Sequence, residues 1–199
     1  MCPAPGFAQE AQAASPVRPW DVVKEKSTFE VQLGKSGWLR VFGDEHFIDV
    51  TGYEFKISFD PDAPAQGSSV EFVIPSRGLR VRDPHLSAET RLEVQAKMEG
   101  PEVLDIANFR EIRFKSKRVT AGDPGMYRVT GDLTIRASSR PLAIDLMLQR
   151  EGDGYRARGT APVKMTAFGI DPPSAGGGGI KVRDEMKIVF DLLLTTTQN

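Results

Sequence analysis

The sequence predicts an all-β fold, an antiparallel, lipocalin-like barrel of about eight strands with a short helical insertion between Ser87 and Phe109. Three observations carry this: short runs that alternate apolar and polar residues, turn chemistry between them at spacings of about 8–12 residues, and a single stretch of helix formers lacking that alternation. The clearest run is Tyr127–Leu148. Tyr127, Val129, Leu133 and Ile135 fall on one parity against Arg128, Thr130, Asp132, Thr134 and Arg136, and then Leu142, Ile144, Leu146 and Leu148 repeat the pattern. The polar link Ala137–Pro141 between them predicts a hairpin. Gly131, on the inward parity, removes a side chain there and leaves room for a ligand or a bend.

In chain order, Trp20–Leu33 supplies a first strand with Phe29, Val31 and Leu33 on one face, and Gly34-Lys35-Ser36-Gly37 a turn. Trp38–Val50 reads as two strand pieces around Gly43-Asp44-Glu45. Tyr53, Phe55, Ile57 and Phe59 then alternate with Glu54, Lys56 and Ser58, and the prolines of Asp60–Pro64 stop that strand. Ser69–Ile74 is the next strand. Ser87 is an N-cap for a helix that Gly100-Pro101 ends, with Pro101 starting a second helical turn that carries Val103, Leu104 and Ile106. Glu111–Val119 returns to strand. In Tyr155–Met165 the apolar face includes Ala157, Gly159 and Ala161, small residues that leave space where larger ones would fill it. Ala167–Gly179 is a loop by composition, and Glu185–Leu194 the final strand.

The 199 residues suit one domain, placed at residues 20–199, and a net charge of −1 gives no support for nucleic acid as a partner. No apolar run approaches the ~20 residues of a spanning helix, so the domain is not expected to be transmembrane. Cys2 is the single cysteine, which removes an intramolecular disulfide and a thiolate metal cluster. Residues 1–19 read either as a disordered tail or as the remnant of an export leader, since Ala11-Gln12-Ala13 has the form of a signal-cleavage triplet. The second reading makes the protein periplasmic or secreted.

Candidate ligand-binding residues are the inward apolar set of such a barrel: Phe55, Ile57, Phe59, Phe72, Phe114, Tyr127, Val129, Leu133, Ile135, Ile144, Leu146, Met165, Phe168, Ile188 and Phe190. Each taken singly reads first as core; the functional reading belongs to the set. Asp44, Glu45 and His46 sit together, but without a second histidine or cysteine nearby they read as a solvated turn, and no metal site is expected. Arg82 and His85 are the candidates for a ligand head group, Arg82 as partner of a pyrophosphate or quinone oxygen. With Asp83 they also form the alternative, a hydrolase or isomerase acting on a hydrophobic substrate at the cavity rim. No nucleophile elbow, phosphate loop or dinucleotide fingerprint is present, so neither a cofactor nor catalysis is expected.

Four segments resemble the YceI family, lipocalin-like proteins described as polyisoprenoid-binding. Leu104–Phe114 fits the family's D-v-x-x-F/Y-P-x-I-x-F with Arg110 in place of proline, and Gly131–Pro141 fits G-D-L-T-I-R-G-x-T/S-K/R-P with Ala137 in place of glycine. Arg82-Asp83-Pro84-His85-Leu86 looks like its R-D-x-H-L, and Ala167-Phe168-Gly169-Ile170 like its F-G-I element. The resemblance implies a barrel whose bore takes a long polyprenyl chain. It also singles out the turn at Ala137 as the place where the backbone departs from the family, if that position requires a positive φ. The partner so implied is an isoprenoid-type lipid; a homodimer is left open.

Overall fold

The computed structural model describes residues 17–36, 46–175 and 180–197. Its strands are β1 (Arg18–Val22), β2 (Thr28–Ser36), β3 (His46–Val50), β4 (Glu54–Phe59), β5 (Ser69–Pro75), β6 (Leu79–Val81), β7 (Glu111–Ala121), β8 (Met126–Ile135), β9 (Ser138–Glu151), β10 (Gly154–Lys164), β11 (Ser174–Ala175) and β12 (Ile180–Thr196), with one α-helix, α1 (Ala88–Glu99), among the described residues. All pairings among the described residues are antiparallel. Eight strands form a closed ring in the order β1-β4-β5-β7-β8-β9-β10-β12, and β1 shuts it by pairing with β12.

The wall extends beyond the ring because three staves are each bent into two strands. The stretch Trp20–Leu33, read as one strand, is broken by a 3-10 turn at Lys24–Lys26: β1 pairs with β4 and β12, whereas β2 lies farther along β12 and pairs with β3. The Ser27 hydroxyl fixes the break, donating to the Val23 carbonyl at 2.7 Å and accepting the Leu193 N–H at 3.0 Å. The predicted turn at Gly34–Gly37 is also displaced, since β2 runs through Ser36. A second bend separates β3 from β4 and a third separates β5 from β6, and the two lock together through the Thr51 N–H on the Gly78 carbonyl at 2.8 Å. Residues 37–45, which hold the first of the two strand pieces expected in Trp38–Val50 and the Gly43-Asp44-Glu45 link, lie outside the described residues, and the second piece is β3.

β6 ends the β12-β2-β3-β6 extension with one edge unpaired by any strand, and α1 covers it. Gln95 supplies what a neighbouring strand would: its Oε1 accepts the Val81 N–H and its Nε2 donates to the Leu79 carbonyl, both at 2.9 Å. A sheet edge presents unmet donors and acceptors, and one amide side chain satisfies a pair of them here. The Ser87 cap is as expected, its Oγ accepting the Thr90 N–H at 3.1 Å. After Gly100 the expected second helical turn is replaced by hydrogen-bonded turns, with Asp105 at φ 48°.

Replacing Gln95 with alanine is expected to leave the ring folded while loosening α1 from β6, because stranding a donor and an acceptor costs about 1–3 kcal/mol each. Hydrogen exchange at Val81 and along α1 should accelerate well ahead of exchange in β8 or β9; unchanged exchange would mean that Val94 and Met98 hold the helix by packing alone.

Of the expected spaces on the inner wall, those at Gly131 and Gly159 are occupied, whereas Ala157 lines open space. A side chain at Gly131 would meet the Lys115 carbonyl oxygen, the Phe114 ring at 2.7 Å and the Ser116 Cα at 2.7 Å. That notch receives the Phe114 ring beside a bulge in β7 between Ser116 and Arg118, so Gly131 makes a bend and no ligand space. Gly159 likewise receives the Phe190 ring, whose tip would lie 2.6 Å from an added Cβ. In the hairpin, Ile135 pairs with Ser138, so the turn is the two residues Arg136-Ala137, tighter than the link predicted. Arg136, at φ 55°, carries the left-handed conformation, and Ala137 does not. Its guanidinium lies 5.6 Å from the Phe109 ring centroid.

Buried apolar side chains form two clusters, a large one including Phe29, Phe72, Phe114, Leu133 and Ile188, and a small one around Trp20, Ile57, Phe59, Leu192 and Leu194. The outer face is charged, with pairs such as Arg128–Asp145 and Arg156–Glu151. In each, the arginine's hydrogen bond holds the carboxyl below its usual range.

Candidate ligand-binding bore

Among the described residues, two chambers lie in the barrel interior. The wider has a volume of about 270 Å³ and lies under α1; the narrower, about 90 Å³, lies in the ring near Phe59 and Leu194. Phe29, Phe72 and Ile188 line both and therefore form the partition. Register explains the partition: Phe55 pairs with Phe72 across β4 and β5, Phe72 with Phe114 across β5 and β7, and Phe114 with Leu133 across β7 and β8. Four inward side chains thus form one row across four strands. Phe72 stacks on Phe114 at 5.2 Å and meets the Phe29 ring edge-on at 5.7 Å, while Phe29 also approaches Tyr53 and Phe55 at 5.8 Å. Offset and edge-on contacts of this kind add to the area the rings bury.

Of the predicted set, Phe55, Ile57, Phe59, Phe72, Tyr127, Val129, Ile144, Leu146, Ile188 and Phe190 line the narrow chamber, and Leu133, Ile135 and Met165 join Phe72 and Ile188 in the wide one. Phe114 and Phe168 line neither. Phe114 is spent filling the Gly131 notch, and Phe168 is buried in the 3-10 turn Thr166–Phe168 that follows β10. That turn is anchored by Asp184, whose carboxylate accepts the Thr166 N–H and hydroxyl at 2.8 Å each, and these bonds hold it below the usual carboxylate range.

Sequence reasoning left Phe29, Val31 and Leu33 out of the bore although their alternation put them on one face, and it missed the lining that α1 brings: Val94, Lys97 and Met98. Among the described residues, Lys97 is the one charged residue lining the wide chamber, and the polar residues lining the narrow one are Ser58, Ser68 and Tyr127.

The structure keeps Arg82, Asp83 and His85 away from both chambers. Val81 lines the wide chamber, so Arg82, next along the strand direction, projects to the outer wall, where its Nε donates to Asp49 and its Nη2 to Glu30, both at 2.7 Å. It also lies 5.2 Å from the centroid of the Phe47 ring, and the bond to Asp49 raises its affinity for its proton. Asp83 is buried, its Oδ1 accepting the Phe47 N–H at 2.7 Å, which extends the β3–β6 pairing by one link. His85 is exposed in the turn that leads to α1. Asp44 and Glu45, the acids next to His46, lie outside the described residues. Among the described residues no three of His, Cys, Asp and Glu gather as a metal would need, and no helix is long and apolar enough to cross a membrane.

A closed eight-stranded antiparallel barrel with a helix over one end and an apolar interior is the architecture of the lipocalin-like binding proteins. Within it, residues 20–194 match the YceI-like domain, and the chain belongs to that family. UPF0312 proteins of Pseudomonas savastanoi pv. phaseolicola and Pseudomonas syringae pv. syringae are 32% identical over 98 residues, 46% of this chain, and the match spans 45% of each relative's length. Among solved structures, BcnA of Burkholderia cenocepacia superposes with a TM-score of 0.70 at 20% identity over 87% of this chain and 99% of that one. The Campylobacter jejuni YCEI protein does so at 0.59 and 12% identity over 76% and 85%. At these identities the structures establish the shared barrel.

Proposed function

We propose that the bore holds a long-chain isoprenoid or related lipid, polyprenyl or quinone-like, and that the protein carries it without catalysing a reaction, in the periplasm or outside the cell. The observation that supports this reading is the pair of apolar chambers meeting at Phe29, Phe72 and Ile188. Each methylene transferred into such a bore contributes up to ~0.8 kcal/mol, so a chain of many carbons binds with few polar contacts. Small-molecule pockets usually measure about 300–1,000 Å³. The wide chamber, at about 270 Å³, takes a short segment as it stands, and a longer tail threads onward by turning the rings of the partition. Catalysis by His85, Asp83 and Arg82 draws no support from an arrangement that commits Arg82 to Asp49 and Glu30 and Asp83 to Phe47.

The test is to fractionate the native host, purify the protein and extract it with organic solvent. Mass spectrometry of the extract is expected to show a polyprenyl or quinone-type lipid, near one per chain, from a non-cytoplasmic fraction. No lipid in the extract, together with no uptake of added polyprenol in native mass spectrometry, would overturn the reading of the bore; recovery from the cytoplasm would overturn the location.

A further inference from the structure

Lys97 is both exposed and part of the wide chamber's lining, which places it at the mouth of that chamber. Its side chain makes no hydrogen bond or ion pair among the described residues, although carboxylates are close in sequence. Glu93, one helical turn earlier, forms no pair with it; Glu99 is held by Gln95 at 2.7 Å and faces Arg80 at 3.6 Å; Asp105 accepts both its hydrogen bonds from Asn108.

A lysine in the last turn of a helix ordinarily serves the helix itself, by meeting carbonyls that have no partner or by offsetting the dipole. Here those carbonyls are already met. Lys97 O accepts the Gly100 N–H, Met98 O that of Leu104, Glu99 O that of Ile106, and Gly100 O those of Val103 and Asp105. The chain after the helix folds back and caps it with backbone alone, which leaves the ammonium of Lys97 uncommitted among the described residues, above a chamber otherwise walled by Val94, Met98, Val103, Leu104 and other apolar side chains. An amphipathic ligand with its tail in that chamber presents its polar end at this mouth. Arg82, the other cation considered for this role, is neutralised by two carboxylates on the outer wall.

From this we infer that Lys97 is a specificity-determining residue that selects lipids with an anionic head, such as a phosphate monoester, over neutral lipids of the same chain. The inference rests on the bore being a lipid site. A charge-assisted contact at an exposed mouth is worth a modest factor, about two- to fivefold in affinity, and is weakened by salt.

The experiment compares farnesyl phosphate with farnesol, which share one tail, on the full chain and on Lys97→Met and Lys97→Arg by calorimetry at low and high salt. The unmodified protein is expected to prefer the phosphate about two- to fivefold at low salt, Lys97→Met to lose that preference by weakening farnesyl phosphate more than farnesol, and Lys97→Arg to keep it. Equal affinity of the unmodified protein for both, or equal weakening of both by Lys97→Met, overturns the assignment of Lys97 and leaves the lipid site standing. Failure of either lipid to bind any variant overturns the site and the assignment together.

Discussion

Replacing Phe72 with alanine is expected to lower stability by about 3–5 kcal/mol and, in the same protein, to lengthen the lipid that the bore accepts. Phe72 is 4% exposed, touches Phe29, Phe55 and Phe114, and lines both chambers. Removing its ring deletes buried area and ring contacts, and the surrounding strands cannot close on the gap because their register is fixed on both sides by β4 and β7. For a chain of this size each kcal/mol moves the melting temperature by about 2–4 °C, so a fall of roughly 10 °C is expected in a thermal scan. The same deletion joins the chambers. Given polyprenols of graded length in native mass spectrometry, the variant should shift toward longer chains relative to the unmodified protein. A stability loss with no shift in chain length would show that Phe72 is core and that the partition is permanent.

Trp20→Ala is expected to be as damaging, for a different reason. β1 has five residues and is the strand that shuts the ring, so few contacts close the barrel. Trp20 anchors them: it is 2% exposed, stacks on Phe59 at 4.7 Å, meets Tyr155 edge-on at 5.2 Å and donates from Nε1 to the Phe59 carbonyl at 3.2 Å. Loss of a buried tryptophan costs about 3–5 kcal/mol. Trp20→Phe keeps the ring and forfeits the hydrogen bond, a cost nearer 1 kcal/mol. Hydrogen exchange should locate the damage at the seam, in β1 and in residues 194–196 of β12, before β8 and β9 respond. Uniform acceleration through all strands would mean that the seam and the rest of the barrel unfold as one unit.

Much of this architecture was legible because alternation reports which side of a sheet a side chain occupies. Tyr127 to Ile135 and Leu142 to Leu148 alternate, and in the barrel they are paired staves with Val129 opposite Ile144. Alternation does not report what fills the space beyond the wall. Gly131 and Gly159 read as vacancies because the rings that enter them, Phe114 and Phe190, come from neighbouring strands whose register a sequence does not display. Nor does it report bends. Leu79–Val81 is too short to show a period, and it exists as a strand because Ile48–Val50 pairs with it on one side and Gln95 on the other. Arg82 looked available for a ligand because its partners, Glu30 and Asp49, are 52 and 33 residues away. Lys97 was hidden by the weak apolar stripe of α1, which gave no indication of the face turned inward.

The seam at β1 also bears on how the protein is made. Trp20 pairs with Thr196, Asp21 with Thr195 and Val22 with Leu194, so closure joins residues far apart in sequence. A ribosome releases Trp20 long before Leu194, and until then β4 has no neighbour on its β1 side that is itself held from behind. Ring closure therefore carries the loop-closure cost of a long-range contact, the class that forms slowest. Until the seam closes, β4 and β12 each lack one neighbour, which makes the seam the natural place for misassembly between copies.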